Sequence, residues 1–244
     1  MFRHQGKTRS YKHNLKLAIV LSLVAGIVNV TGFLAISQLT TNVTGHFALF
    51  INDLANFEFW KGTVYFVYIL SFLLGAFTSG MLIEKFRENK RLNVYVLPTS
   101  IEVLVLITVP MLVQFKANTS PDVIACLLLF AMGLQNSYVT RISNAVVRTT
   151  HLTGLFTDLG IELSQLFFPK VHPEKQKIRK TIMLRAYIIS FFFAGGLFGG
   201  YIYSRMDFRM NTLLIAAVIL LASLFYDDFR YRLITSRRRY QQKK

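Results

Sequence analysis

One polar pattern occurs twice in this chain, about a hundred residues apart, within segments that are otherwise apolar. Its first copy is Gly26-Ile-Val-Asn29 followed by Thr41-Asn-Val-Thr44-Gly45. Its second is Gly133-Leu-Gln-Asn136 followed by Thr150-His-Leu-Thr153-Gly154. A further echo trails each copy: Tyr68-Ile-Leu-Ser71-Phe72 leads through small residues to Gly80, and Tyr187-Ile-Ile-Ser190-Phe191 leads through small residues to Gly199. Recurrence of this kind reads as a duplicated unit, and in membranes duplicated units are the usual build of secondary transporters.

The surrounding composition is that of a polytopic membrane protein. Of the 244 residues, 53% are hydrophobic and only 16% are charged, and the mean hydropathy is +0.42. The net charge of +16 invites a nucleic-acid reading, but its placement opposes one. Nearly all Lys and Arg fall in four clusters: Arg3 to Lys16, Lys85 to Arg91, Lys170 to Arg185, and the tail from Arg230. These lie between or outside the apolar segments, where topology signals belong, and contact with anionic lipid follows as a by-product. The first apolar run, Leu17 to Ser37, is longer than the core of a signal peptide. Its Gly26 and Asn29 recur in an internal segment, so it reads as a retained first membrane helix. Cys126 is the single cysteine, which leaves no disulfide framework.

Six segments are long and apolar enough to span a bilayer: 16–37, 62–83, 92–114, 122–140, 182–203 and 211–229. Placing the N-terminal tail in the cytoplasm puts 85–91, 141–181 and the C-terminal tail there too. The external connections 38–61, 115–121 and 204–210 are then poor in basic residues, as the positive-inside rule requires. Two shorter pieces, 44–57 and 153–168, each open with Thr-Gly. A crossing by either would place 85–91 outside, and at roughly 1.5 Å per residue both are short for a core of about 30 Å. They read as re-entrant half-helices, interfacial helices or helices at the bundle edge, with Thr44 and Thr153 as N-caps or near-caps and Gly45 and Gly154 allowing close approach. The expected fold is all-α, with six transmembrane helices. The expected divisions are a basic tail (1–15), repeat unit 1 (16–114), a linker (115–121), repeat unit 2 (122–229) and a basic tail (230–244). Three spans per unit is an odd number, so the second unit enters the membrane upside down: an inverted 3+3 repeat.

Several polar residues sit where an unpartnered group is costly. Asn29, Gln135 and Asn136 either line a solute or ion path or fix the packing of helices through hydrogen bonds. Asp53 and Glu162 each lie nine positions beyond their Thr-Gly threonine, and Asp158 shares a helix face with Glu162. Such carboxylates suit a proton- or cation-coupled site, or else a solvated face of an interfacial helix. Glu102 falls inside the third span, four residues after Pro98, and must face the bundle interior, protonated or paired. It serves either coupling or buried packing, and its repeat counterpart is about Leu221. Arg148 precedes the second Thr-Gly element and marks an anion or carboxylate site if it points into a cavity; otherwise it is an ordinary cytoplasmic charge. His46 and His151 occupy non-equivalent positions, and no spacing reproduces a metal signature. Gly75/Ser79, Ala76/Gly80, Gly195/Gly199 and Gly196/Gly200 are small-xxx-small pairs suited to close packing, within the molecule or in a dimer. Asp227-Asp228 reads as a helix end.

The stretch Ala131-Met-Gly-Leu-Gln-Asn136, followed by Val147-Arg-Thr-Thr-His-Leu-Thr-Gly-Leu-Phe-Thr-Asp-Leu-Gly160, closely resembles the signature of the YoaK family of bacterial membrane proteins. The stretch from Ala25 to Asn29 and on to Thr44-Gly45 looks like that family's N-terminal signature, and the similarity spans about residues 15–229. His46 departs from the Asn that members often carry after Thr-Gly. The resemblance implies a multi-spanning protein of the bacterial inner membrane, of unknown function.

The leading functional expectation is a small-molecule transporter or permease working by alternating access, with a site near the two Thr-Gly elements, comprising Asn29, Thr44, Gly45, Asp53, Glu102, Gln135, Asn136, Arg148, Thr153, Gly154, Asp158 and Glu162. A channel, a non-catalytic scaffold or sensor, and an intramembrane enzyme are the alternatives. For the last, no nucleophile-elbow, zincin or paired-aspartate motif is present in the chain, so the expectation is a non-enzyme without cofactor or metal. The expected partners are the lipid bilayer and a small solute; the modest size is compatible with a homodimer, and nucleic acid is not expected.

Overall fold

In a computed structural model the chain is described over residues 10–87, 94–115, 119–168 and 174–241, with side chains through residue 226. The described residues form eight α-helices: α1 (Tyr11–Ile36), α2 (Val43–Ala55), α3 (Phe59–Lys85), α4 (Val96–Gln114), α5 (Pro121–Ser143), α6 (Leu152–Gln165), α7 (Lys175–Arg205) and α8 (Thr212–Gln241). A 3-10 turn, Arg209–Asn211, leads into α8. No strand occurs among the described residues. Six of the helices are long and apolar enough to cross a membrane, and they are those holding the six apolar segments.

Several helices run past the apolar segments that mark them. α1 begins at Tyr11, α7 begins at Lys175 and α8 continues to Gln241. Hydropathy registers only the hydrocarbon layer, whereas Lys, Arg and Gln are good helix formers that carry the same helix on into water. Local chemistry sets other ends. Ser120, extended at ψ 148°, accepts from Val123 N–H and leads into Pro121 at the first turn of α5, where its missing donor is no loss. Asn144, left-handed at φ 53°, closes that helix. Residues 88–91 of one basic cluster, 170–173 of another, residues 116–118 of the external linker, and most of the N-terminal tail lie outside the described residues, as do the side chains of Asp227 and Asp228.

The Gly–Asn helices α1 and α5 form the centre, with 50% and 61% of their spans buried. Their glycines explain why. A Cβ added at Gly26 would run into the Phe192 carbonyl of α7, and one at Gly133 into the Phe72 carbonyl of α3. The reverse contacts match, since Gly195 abuts the Leu23 carbonyl and Gly75 the Phe130 carbonyl. Without side chains at these points the backbones reach van der Waals contact, the packing that holds helices together where lipid is as apolar as leucine. The small faces around Gly75 and Gly195 are therefore used inside the chain. Gly196 and Gly200 have only looser neighbours.

Among the described residues, the main pairings between α-helices recur when α1–α4 are exchanged for α5–α8. α1 on α7 answers α3 on α5, α2 on α3 answers α6 on α7, and α1 on α8 answers α4 on α5. α4 packs on α8 and α1 on α5. Around this frame Leu73, Phe77, Leu104, Phe193, Leu197 and Val218 point outward, an apolar exterior that suits lipid and not water.

Candidate functional site

The two short helices have 13 and 14 residues, roughly 20 Å at 1.5 Å each, too short to cross. Asn42, at φ −118° and ψ 102°, is the N-cap of α2, and its Oδ1 accepts from Gly45 N–H at 3.1 Å. His151 occupies the N-cap position of α6. Thr44 and Thr153 thus stand at the second position of their helices, as near-caps and not the caps themselves. The cap position falls two residues earlier in both, with extended backbone and a side-chain cap at Asn42 but neither at His151. Both Thr-Gly glycines make room for the capping residue: a Cβ at Gly45 would meet the Asn42 amide at 3.2 Å, and one at Gly154 would strike the His151 ring.

A hydrogen bond ties the approach to each short helix to a central helix. Thr41 donates its hydroxyl to Asn29 Oδ1 at 2.8 Å, and Thr150 donates to Asn136 Oδ1 at 2.8 Å. Asn136 also donates its amide to the Met132 carbonyl at 3.0 Å. Neither asparagine is left with an unpaired carbonyl in an apolar helix.

These two joints face one another across a cavity of about 980 Å³. Asn29, Thr41, Asn136 and Thr150 lie on its wall, Thr44, Gly45, His151 and Thr153 bring in the starts of α2 and α6, and Phe72 and Phe192 supply apolar surface from α3 and α7. Arg148 is the one Lys, Arg, Asp or Glu side chain among the described lining residues, with His151 beside it on the wall. It is exposed there, and no carboxylate among the described residues pairs with it. The first turns of both short helices line this space, with Val43, Thr44 and Gly45 from α2 and Leu152 and Thr153 from α6, so the positive ends of two helix dipoles meet there.

Other candidates sit elsewhere. Gln135 is fully buried and turns to α1, donating to the Leu21 carbonyl and to Thr149 Oγ1, both at 3.0 Å. Glu102 faces the bundle interior with no exposure, accepting from the Tyr138 hydroxyl at 2.7 Å. It belongs to the α4–α5 contact and not to the cavity. Asp53 is buried against the start of α3 and accepts from Asn52 Nδ2 at 3.2 Å. Asp158 and Glu162 do share a face, and what they hold is Arg185 of α7, at 3.0 and 2.8 Å. His46 is buried between Tyr65 and Tyr68, its Nε2 2.8 Å from the Leu39 carbonyl. Thr41 and Thr150, partners of the asparagines, recur at matching places in the motif, and that recurrence is the signal that could have found them.

The family described as a protein of unknown function (DUF1275) matches residues 17–226. The chain is 25% identical over 185 residues to UPF0700 transmembrane protein YoaK of Bacillus subtilis (strain 168), an alignment covering 74% of this chain and 80% of that one. No solved structure matches. With that match running from α1 to the apolar part of α8, through every span and both Asn–Thr joints, the chain is a multi-pass integral membrane protein of the DUF1275 family.

Proposed function

We propose that this protein is a small-molecule transporter or permease of the bacterial inner membrane, with both termini cytoplasmic, built as an inverted 3+3 repeat that works by alternating access. The observation that carries this reading is the cavity of about 980 Å³ walled by the same joint from each half of the chain. Transporters of this build place their sites where discontinuous elements of two repeats meet. The exchange of helix pairings between α1–α4 and α5–α8 supports the duplication. The exposed aromatics that follow each short helix, Phe57 and Trp60 after α2 and Phe167 and Phe168 after α6, support a re-entrant geometry. Rings of that kind settle at the membrane–water boundary and would leave the helix N-termini pointing inward.

The lining favours an anion. Among the described residues Arg148 has no carboxylate partner and the wall carries no acid, and two helix N-termini add partial positive charge. A small organic carboxylate fits that chemistry and the hydroxyl and amide groups beside it. The test is a thermal-shift screen of purified protein against organic anions, with matched neutral and cationic compounds, followed by uptake into proteoliposomes. A bound anion raises the melting temperature with its concentration, and Arg148→Gln abolishes the rise while leaving the unliganded melting point unchanged. If no compound binds, and Asn136→Ala melts well below wild type, the joint is a packing element and the protein a membrane scaffold.

A further inference from the structure

We infer that Arg185 is a latch holding α6 against α7, and that α6 is the wall of the cavity that moves. α6 buries a single side chain among its 14 residues, Leu155. Beside the packing of Leu155 and Leu152, its polar attachment to α7 is one guanidinium spread over two carboxylates, Asp158 and Glu162, one helical turn apart. The joint is half-sheltered, with side-chain exposures of 22% for Arg185, 15% for Glu162 and 50% for Asp158. Arg185 Nε and Glu162 Oε2 are buried without a hydrogen-bond partner. A joint that is partly dry yet incompletely satisfied can exchange its contacts for water, whereas a fully paired one resists doing so.

The chain on the N-terminal side of α6 is shaped to allow the swing. Asn144 and Ala145 are consecutive left-handed residues, at φ 53° and 60°, and alanine is held there against its preference. Between this bend and the latch lie Arg148, Thr150, His151 and Thr153, all on the cavity wall. Displacing α6 therefore reshapes the cavity from one side. α2 has no ionic joint of this kind; its counterparts to Asp158 and Arg185 are Leu49 and Phe66.

The role of this motion in solute passage rests on the transport reading; the motion itself does not. The experiment is pulsed electron–electron resonance on protein in nanodiscs, in a Cys126→Ser background and without solute. Spin labels at Ile161→Cys on α6 and Leu197→Cys on α7 report the latch, and labels at Ile51→Cys on α2 and Leu74→Cys on α3 serve as control. All four positions are more than half exposed. Arg185→Ala is expected to broaden the α6–α7 distance distribution at least twofold and leave α2–α3 narrow. Arg185→Lys, which keeps one charged contact, restores part of the narrowing. Glu162→Gln, which retains the Arg185–Asp158 pair, broadens it less, and it decides the matter alone if Arg185→Ala does not fold. An α6–α7 distribution that stays narrow in the folded variants overturns the inference, as does equal broadening of both pairs.

Discussion

The two short helices begin alike and are fastened differently. Each follows a threonine that donates to a central asparagine at 2.8 Å, and each carries a glycine that clears its capping residue. Beyond the first turn they part. α2 lies on α3 through rings: His46 sits 5.1 Å from Tyr68 and 6.0 Å from Tyr65, and Phe50 meets Phe66 at 5.5 Å. α6 lies on α7 with Arg185 bridging Asp158 and Glu162 beside a small apolar contact at Leu155. The two halves share the Thr–Asn side-chain joint on the cavity wall and differ in the side chains that dock the short helix. Aromatic packing is insensitive to salt and has no alternative partner in water. A partly exposed ion pair is screened by salt and can trade its partner for water.

The largest expected effect tests the frame that both halves share. Gly133→Val and Gly26→Val place side-chain atoms against main-chain carbonyls, so each should cost about 3 kcal/mol or more and leave little folded protein in size-exclusion profiles. Gly160, on α6, has nothing within 4 Å of an added Cβ, so Gly160→Ala is the matched control and should be neutral or gain up to about 1 kcal/mol.

Next comes the contrast in fastening. Arg185→Ala strands a sheltered Glu162 and should destabilise by about 2–3 kcal/mol at low salt. That loss should shrink in about 1 M salt, because the wild-type pair is then screened. His46→Ala should lose about 2 kcal/mol through ring contacts, equally at both salt concentrations. Thermal melts of both variants across a salt series would break the comparison if the two responded alike.

Smaller effects are expected at the joints. Thr41→Val and Thr150→Val should each cost about 1 kcal/mol, and double-mutant cycles with Asn29→Ala and Asn136→Ala should return couplings of about 0.6 kcal/mol in both halves. Unequal couplings would mean that one joint carries more than packing. The smallest change belongs to Glu102→Gln, which keeps an acceptor for Tyr138; it should shift stability by about 1 kcal/mol or less. Glu102→Leu, which leaves that hydroxyl without its carboxylate, should cost more.

Much of this architecture was readable from the chain because the bilayer simplifies the reading. Long apolar runs mean helices there, and a carboxyl such as Glu102 must turn inward. The shared face of Asp158 and Glu162 followed from a spacing of four. Their partner did not: Arg185 lies 27 and 23 residues away, in a basic cluster that looks like a topology signal. Gly26 and Gly133 were legible as repeat markers, but that each one admits a carbonyl from the other half depends on helix crossings that no spacing encodes. The caps escaped for a related reason. Asn42 and His151 differ between the copies, and recurrence drew the eye to the threonines that did not.

The glycine contacts carry a consequence for how the protein is made. Gly26 of α1 meets α7, and Gly75 of α3 meets α5, so the bare backbone faces of the first half are covered only by the second. During synthesis α1 must wait in the bilayer, among lipid tails or held by the insertion machinery, until nearly the whole chain has emerged. A first half expressed alone should be a substrate for quality-control proteases, and one expressed beside a separate second half should be rescued.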